Sequence, residues 1–299
     1  MNRNFNLLIP LCILLFFSQC INSFYKPSKS TDYPKNVENV DWFIVPRYEY
    51  AGCFQFGLAR IHIDTRFGMI NKANRIIFYS KKFISINLSK NGDTILTQKS
   101  YKMGALLSHT VNHKIKNRWK PRNINYEKNQ SPDLKLISDW DGIHFRYSYI
   151  DSSNNIIIPA GVYDNANTFS EGLAAVGINN RLGFIDVTGK IVIPMQYYKA
   201  LMFSEGFCPV ILEENSGWVF IDKKGKTMID DIFDEIDWNG FSEGLCCVKP
   251  KKSSKWGYVD KTGKLIIPAI FDDGGAFREN VAPVKIGAKW GYIKNPFKK

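Results

Sequence analysis

The chain is 299 residues long, enough for two ordinary domains or for one repeat array with extras. Of its 40 basic and 28 acidic side chains, which leave a formal net charge of +12, residues 151–299 take equal numbers of each sign. The stretch 72–135 sets 14 Lys and Arg against only Asp93, Glu127 and Asp133. This excludes a uniformly basic surface and marks a local patch.

In chain order, residues 1–19 read as an export signal. Arg3 gives a positive head, and Leu7–Phe17 is an apolar stretch interrupted by Pro10. It is about half the ~20 residues that a membrane-spanning helix needs. Phe17-Ser18-Gln19-Cys20 closes it and the composition then turns polar. A cysteine at the end of an apolar signal resembles the lipobox of bacterial lipoproteins. That resemblance implies acylation of Cys20, which becomes the new N-terminus. Phe17 and Gln19 depart from the commonest form of the box, while Gln19 also suits the ordinary signal peptidase poorly. Residues 20–45 then form a polar linker behind the lipidated cysteine.

Residues 46–78 hold a degenerate copy of the repeat found further on, with Phe56-Gly57-Leu58-Ala59 followed by Arg66-Phe67-Gly68-Met69-Ile70-Asn71. Residues 79–140 do not repeat. Phe83–Asn87 and Thr94–Leu96 around Asn91-Gly92 read as a hairpin. Met103–Trp119 reads as a helix, against the poor helix formers Thr110, Val111 and Asn112. Lys114, Lys116, Arg118, Lys120 and Arg122 cluster around Trp119 and are the candidate contacts for an anionic surface, whether a glycan or a lipid headgroup. Export argues against nucleic acid. On a helix His109 and His113 would share a face, but without the Glu of a zinc-protease motif or a nearby cysteine they do not make a metal site.

From 141 to 299 the chain repeats. FSEGLAAV at Phe169, FSEGFCPV at Phe203, FSEGLCCV at Phe241 and FRENVAPV at Phe277 follow at spacings of 34, 38 and 36 residues. Between them, segments such as Trp256-Gly257-Tyr258-Val259-Asp260 and Leu265-Ile266-Ile267 read as two strands joined by a turn. Asp260 opens that turn and Gly263 closes it with a left-handed residue. Pro159, Pro194 and Pro268 are expected to stop the second strand, and Gly172, Gly206 and Gly244 to form a second turn. Three short antiparallel strands per period cannot bury both faces alone, so the units stack. Cys208 and Cys246 fill a slot held by Ala174 in the preceding unit, either as buried thiols or as a bridge between units.

KWGYVDKTGKLIIPAIFD and FSEGLAAV resemble the WG-repeat proteins, named for a Trp-Gly pair in a β unit of this length. Only Trp256-Gly257 and Trp290-Gly291 are intact. The resemblance implies an all-β fold, a tandem array of hairpin or three-stranded repeats that is solenoid-like or propeller-like, with a binding or scaffolding role and no shared catalytic residues. Glu171, Glu205, Glu243 and Asp151, Asp186, Asp222, Asp260 recur because the turns recur, whereas catalysis needs a unique constellation. The expected protein is thus a membrane-anchored envelope lipoprotein that binds a protein partner, with no enzyme activity, cofactor, metal or small-molecule substrate. The alternative is capture of an anionic envelope polymer or membrane through the basic stretch.

Overall fold

The repeating unit folds as an antiparallel sheet whose strands follow chain order. The computed structural model describes residues 40–298 apart from 56, 65, 81–83, 89–93, 103–104, 116–133 and 141–144. One unit runs Asn165–Ala166, Leu173–Ile178, Arg181–Asp186 and Ile191–Tyr197. A two-residue strand therefore precedes the three expected. Gly189 N–H donates to Asp186 O at 2.9 Å and Gly189 takes φ 84°, giving the expected turn with its left-handed residue. Asp186 Oδ1 accepts from the Thr188 hydroxyl and from the N–H groups of Thr188 and Lys190. Asp260 repeats all three bonds with Thr262 and Lys264. The threonine hydroxyls, with help from these N–H groups, hold both carboxyls below the usual range.

The Phe-Ser-Glu-Gly corner is tighter than expected. Ser170 and Leu173 exchange both backbone hydrogen bonds, at 2.9 and 3.1 Å. Glu171 and Gly172 both lie at positive φ, 53° and 88°. That is the two-residue type I′ turn of hairpins. A glutamate is an unfavourable occupant of the left-handed region, at about 1–2 kcal/mol.

Pro194 and Pro268 do not end their strands. Ile191–Tyr197 and Leu265–Phe271 run through them, and only Pro159 follows the last residue of its strand, Ile156–Ile158. Both strands are edges of their sheets, and the register with the neighbour shifts between Ile193 and Tyr197 and between Ile267 and Phe271. At a bulge on an edge strand a proline removes no ladder bond. The glycine of the Trp-Gly pair serves this bulge. A methyl on Gly257 would lie 2.7 Å from Ile267 O and 2.9 Å from Ala269 N, both backbone atoms of the next strand.

Neighbouring units meet through one recurring aromatic contact. The ring in the hairpin strand of one unit packs on the phenylalanine that opens the next corner: Tyr149 on Phe169, Phe184 on Phe203, Phe220 on Phe241 and Tyr258 on Phe277, with centroids 4.9–5.0 Å apart. Tyr149 and Tyr258 also donate their hydroxyls to Asn167 O and Gly275 O, two residues before the phenylalanine of the next unit. Cys208, Cys246 and Cys247 are buried free thiols, and burial raises the pKa of each. No bridge joins Cys208 to Cys246.

The array closes on itself. Trp42–Tyr48, straddling the end of the expected linker, pairs antiparallel with Lys289–Lys294 and completes the last sheet, whose other members are Asp273–Gly274 and Val281–Ile286. Ile44 stands opposite Tyr292 and Tyr48 opposite Trp290, as Ile193 and Tyr197 stand opposite Phe184 and Leu182 within one unit. The aromatic contact recurs across the closure as Phe54 on Tyr292 at 5.0 Å, with the Tyr292 hydroxyl on Gly52 O. This is a propeller-like array, not an open solenoid.

The first unit is Tyr50–Ala51, Leu58–Ile63, Arg66–Asn71 and Ile76–Ser80. The non-repeating stretch is also a sheet, Ile84–Leu88, Thr94–Lys102 and Ala105–Ile115, and the hairpin read over Phe83–Leu96 lies in it. The helix expected over Met103–Trp119 is instead the strand Ala105–Ile115, with Thr110 opposite Lys99 and Val111 opposite Gln98. β-branched side chains favour that outcome. Lys135–Trp140 pairs with Phe145–Ile150 and so belongs to the repeating array. Thr227–Ile236 is long enough to serve two units, pairing with Trp218–Ile221 and with Cys246–Pro250.

The closing strand is held over bare backbone, because a methyl on Gly291 would lie 2.5 Å from Ile44 O and 2.7 Å from Pro46 N. In limited proteolysis, Gly291→Ala is expected to expose the segment before Glu49 to early cleavage while the central repeats stay resistant. Wild-type cleavage kinetics in that variant would show that the close approach does not hold the strand.

Candidate functional site

The side chains that repeat are spent on joining units. Glu171, strained at positive φ, accepts from the Gly206 N–H of the next unit at 3.0 Å and from Lys223 Nζ at 3.2 Å. Glu205 does the same with Gly244 at 3.0 Å and Lys261 at 3.2 Å. Glu243 accepts from the Asn280 N–H at 2.8 Å, with Asn295 donating to its carbonyl in place of the lysine. Glu279 then reaches across the closure to the Gly57 N–H at 2.9 Å and to Lys72 at 3.1 Å. A second row runs beside it: the Ser170, Ser204 and Ser242 hydroxyls donate to the carbonyls of Phe203, Phe241 and Phe277. The glutamates are therefore structural acceptors, and nothing in these bonds sets one apart for chemistry.

Because the units share one pattern of strands and corners, departures from it stand out, and they gather at the closure. Arg278 occupies the serine slot, so the serine row is absent where the last unit meets the first. Its Nη2 instead donates to Asn239 Oδ1 at 3.2 Å. Arg60 is exposed in a slot held elsewhere by Ala175, Pro209, Cys247 and Pro283, all buried. Asn239 belongs to a two-residue insertion. Asp237 N–H bonds to Cys247 O as Leu201 N–H bonds to Pro209 O, but Trp238 and Asn239 then intervene before Gly240 and Phe241. Asp237 Oδ1 accepts from the Asn239 N–H and Nδ2, fixing the turn. Trp238 at its tip is 73% exposed.

These departures surround a cavity of about 410 Å³ lined by Tyr50, Gly52, Cys53, Phe54, Gln55, Arg60, Asn239 and Arg278. The Cys53 thiol donates to Ala276 O at 3.4 Å. Burial pushes its pKa up, Arg278 pulls it down and Asp237 pushes it up again. A thiol with a raised pKa is a poor nucleophile at neutral pH; the other polar groups of the lining, Arg60, Arg278, Asn239 and Gln55, offer hydrogen bonds and charge.

Of the residues singled out in sequence for an anionic surface, Lys114 lies in the strand Ala105–Ile115 opposite Ile95. Lys116, Arg118, Trp119, Lys120, Arg122 and the lipidation candidate Cys20 lie outside the described residues. His109 and His113 stand on a strand opposite Ser100 and Leu96. Four residues there span about 13 Å of backbone, too far for one metal ion. Arg60, Arg278, Cys53 and Asn239 were not singled out. The signals were present: two arginines in slots of small residues, and a spacing of 38 between Phe203 and Phe241.

The family described as WG containing repeat matches residues 147–181, 183–215, 218–251 and 256–290, so the chain carries four such repeats in tandem. No curated protein matches it. Among solved structures it is similar to a streptogramin B lyase, at 11% identity over 86% of this chain and 95% of that one, with a TM-score of 0.38. It is also similar to Hsv2 of Kluyveromyces lactis, at 9% identity over 84% and 98% of the two chains, TM-score 0.37. An extracellular domain of a hybrid two component system of B. thetaiotaomicron is similar at 10% identity and a TM-score of 0.39; the match covers 89% of this chain but only 41% of that one. Likenesses this slight carry no functional weight.

The glutamate row has a measurable signature. Glu171→Ala is expected to lower stability by about 2 kcal/mol, since it strands a partly buried N–H and keeps a side chain at positive φ. Glu171→Gly loses the same bonds but relieves the backbone, and is expected to recover about 1 kcal/mol of that. Urea unfolding midpoints give the order wild type, glycine variant, alanine variant. An alanine variant as stable as wild type would remove the row from the account of stability.

Proposed function

We propose that this WG-repeat chain is an exported cell-envelope lipoprotein, anchored through acyl chains on Cys20, whose closed β array binds a protein partner and performs no catalysis. The observation that supports it most directly is the exposure of Trp238 on an inserted turn, in an array whose recurring aromatics are buried between sheets. Tryptophan is among the residues enriched at interface hot spots, and an exposed one at the tip of a turn held by Asp237 is displayed at little ordering cost. The recurring carboxylates are engaged in joining units, which speaks against a repeated catalytic centre. Cross-linked capture from solubilised envelope, with the tagged full chain as bait, tests the reading. Wild type retains a partner that Trp238→Ala loses by about tenfold or more. Cys20→Ser releases the protein to the soluble fraction and abolishes labelling by an acyl precursor. Equal capture by both baits, or labelling that survives at Cys20→Ser, counts against the corresponding half of the proposal.

The charge excess of residues 72–135 supports a second reading, in which that stretch holds an anionic envelope polymer or membrane surface. Reversing Lys114, Lys116, Arg118, Lys120 and Arg122 to Glu is then expected to abolish salt-sensitive sedimentation with anionic liposomes. Unchanged sedimentation removes this reading.

A further inference from the structure

We infer that the cavity at the closure is a binding site for a small oxyanion, a carboxylate or phosphate group seated between Arg60 and Arg278. The repeat supplies the control. Four corresponding positions in other units hold small buried residues where this unit has Arg60, and three hold serine where the last unit has Arg278. A serine at 278 would have extended the row of hydroxyl-to-carbonyl bonds that Ser170, Ser204 and Ser242 make. In its place stands a longer, permanently charged side chain. Both changes fall on one cavity.

No acid of the lining compensates the charge there. The lining contains two guanidinium groups and no carboxylate. Among the described residues neither arginine forms an ion pair, and the Arg278 side chain donates to a neutral amide. The charge of Asp237 is felt at Cys53. Its Oδ1 is engaged with Asn239, and it is not part of the lining. The Asp237–Asn239 bonds thus fix the amide that in turn orients Arg278. A guanidinium fork pre-set in this way meets a planar or tetrahedral oxyanion with two parallel N–H donors. The volume suits a small molecule, falling within the range of about 300–1,000 Å³ for ligand sites. Tyr50 and Gln55 line the same cavity and offer a ring face and an amide to the remainder of such a ligand.

This inference stands apart from the partner-binding proposal, because it is tested on purified protein alone. Isothermal titration with inorganic phosphate and with succinate, in about 150 mM chloride to screen non-specific attraction, separates a phosphate site from a carboxylate site. Wild type is expected to bind one of them with a saturable one-to-one isotherm. Arg60→Ala, as at Ala175, and Arg278→Ser, as in three other units, are expected to weaken it by about tenfold or more. Both should keep the wild-type circular dichroism spectrum and melting profile, because they restore the repeat pattern. Failure of both probes to bind overturns the inference, as does binding that persists unchanged in both folded variants. Should either replacement prevent folding, Arg60→Gln and Arg278→Gln remove the charge with less loss of volume and are read by the same criteria.

Discussion

Everything in this fold leans on the contact between the hairpin ring of one unit and the corner phenylalanine of the next. Pairs of this geometry add about 0.5–1.5 kcal/mol beyond the area they bury. Here the contact recurs between successive repeats and again across the closure, as Phe54 on Tyr292. It also fixes register, since the tyrosine hydroxyls at 149, 258 and 292 reach a carbonyl at the same place in the following unit. With the rings seated, the corner glutamate is left beside the next unit's turn, where its strained conformation is offset by an N–H bond and usually a lysine. Stacking and stitching are two layers of one joint.

Much of this was legible in the sequence because its cause is local. Asp260-Lys261-Thr262-Gly263 encodes its turn, and the left-handed residue appears at Gly263 as at Gly189 and Gly225. What the sequence concealed is long-range. The role of the Trp-Gly glycine depends on a bulge in the following strand, which no local pattern announces. Prolines 194 and 268 looked like stops because the edge position that tolerates them is a property of the assembled sheet. The closing strand escaped notice since Pro46 follows Ile44 by two residues, whereas Pro194 follows Ile193 directly. Its partner, moreover, lies at the other end of the chain. The strand Ala105–Ile115 defeated a helical reading because pairing with Thr94–Lys102 adds to the β preference of Thr110 and Val111.

A repeat protein carries its own reference. Where the units agree, as at the glutamates and corner phenylalanines, the side chains are occupied with one another. Where one unit disagrees, a different demand is at work. Arg60, Arg278 and the Trp238-Asn239 insertion come from three separate parts of the chain, yet they meet at the closure. An array that must join its first and last members has one junction unlike the rest, and that junction can depart from the pattern without disturbing the others.

The closure also orders events in time. The Tyr292 hydroxyl bonds to Gly52 across 240 residues of chain, and Trp42–Tyr48 has no partner until the strand Lys289–Lys294 exists. This early strand of the array is thus among the last to gain its neighbour. Until then the last sheet presents an unpaired edge with the geometry to accept a strand from another chain. An apolar strand kept waiting beside an open edge makes exchange between two copies the characteristic misassembly of this architecture.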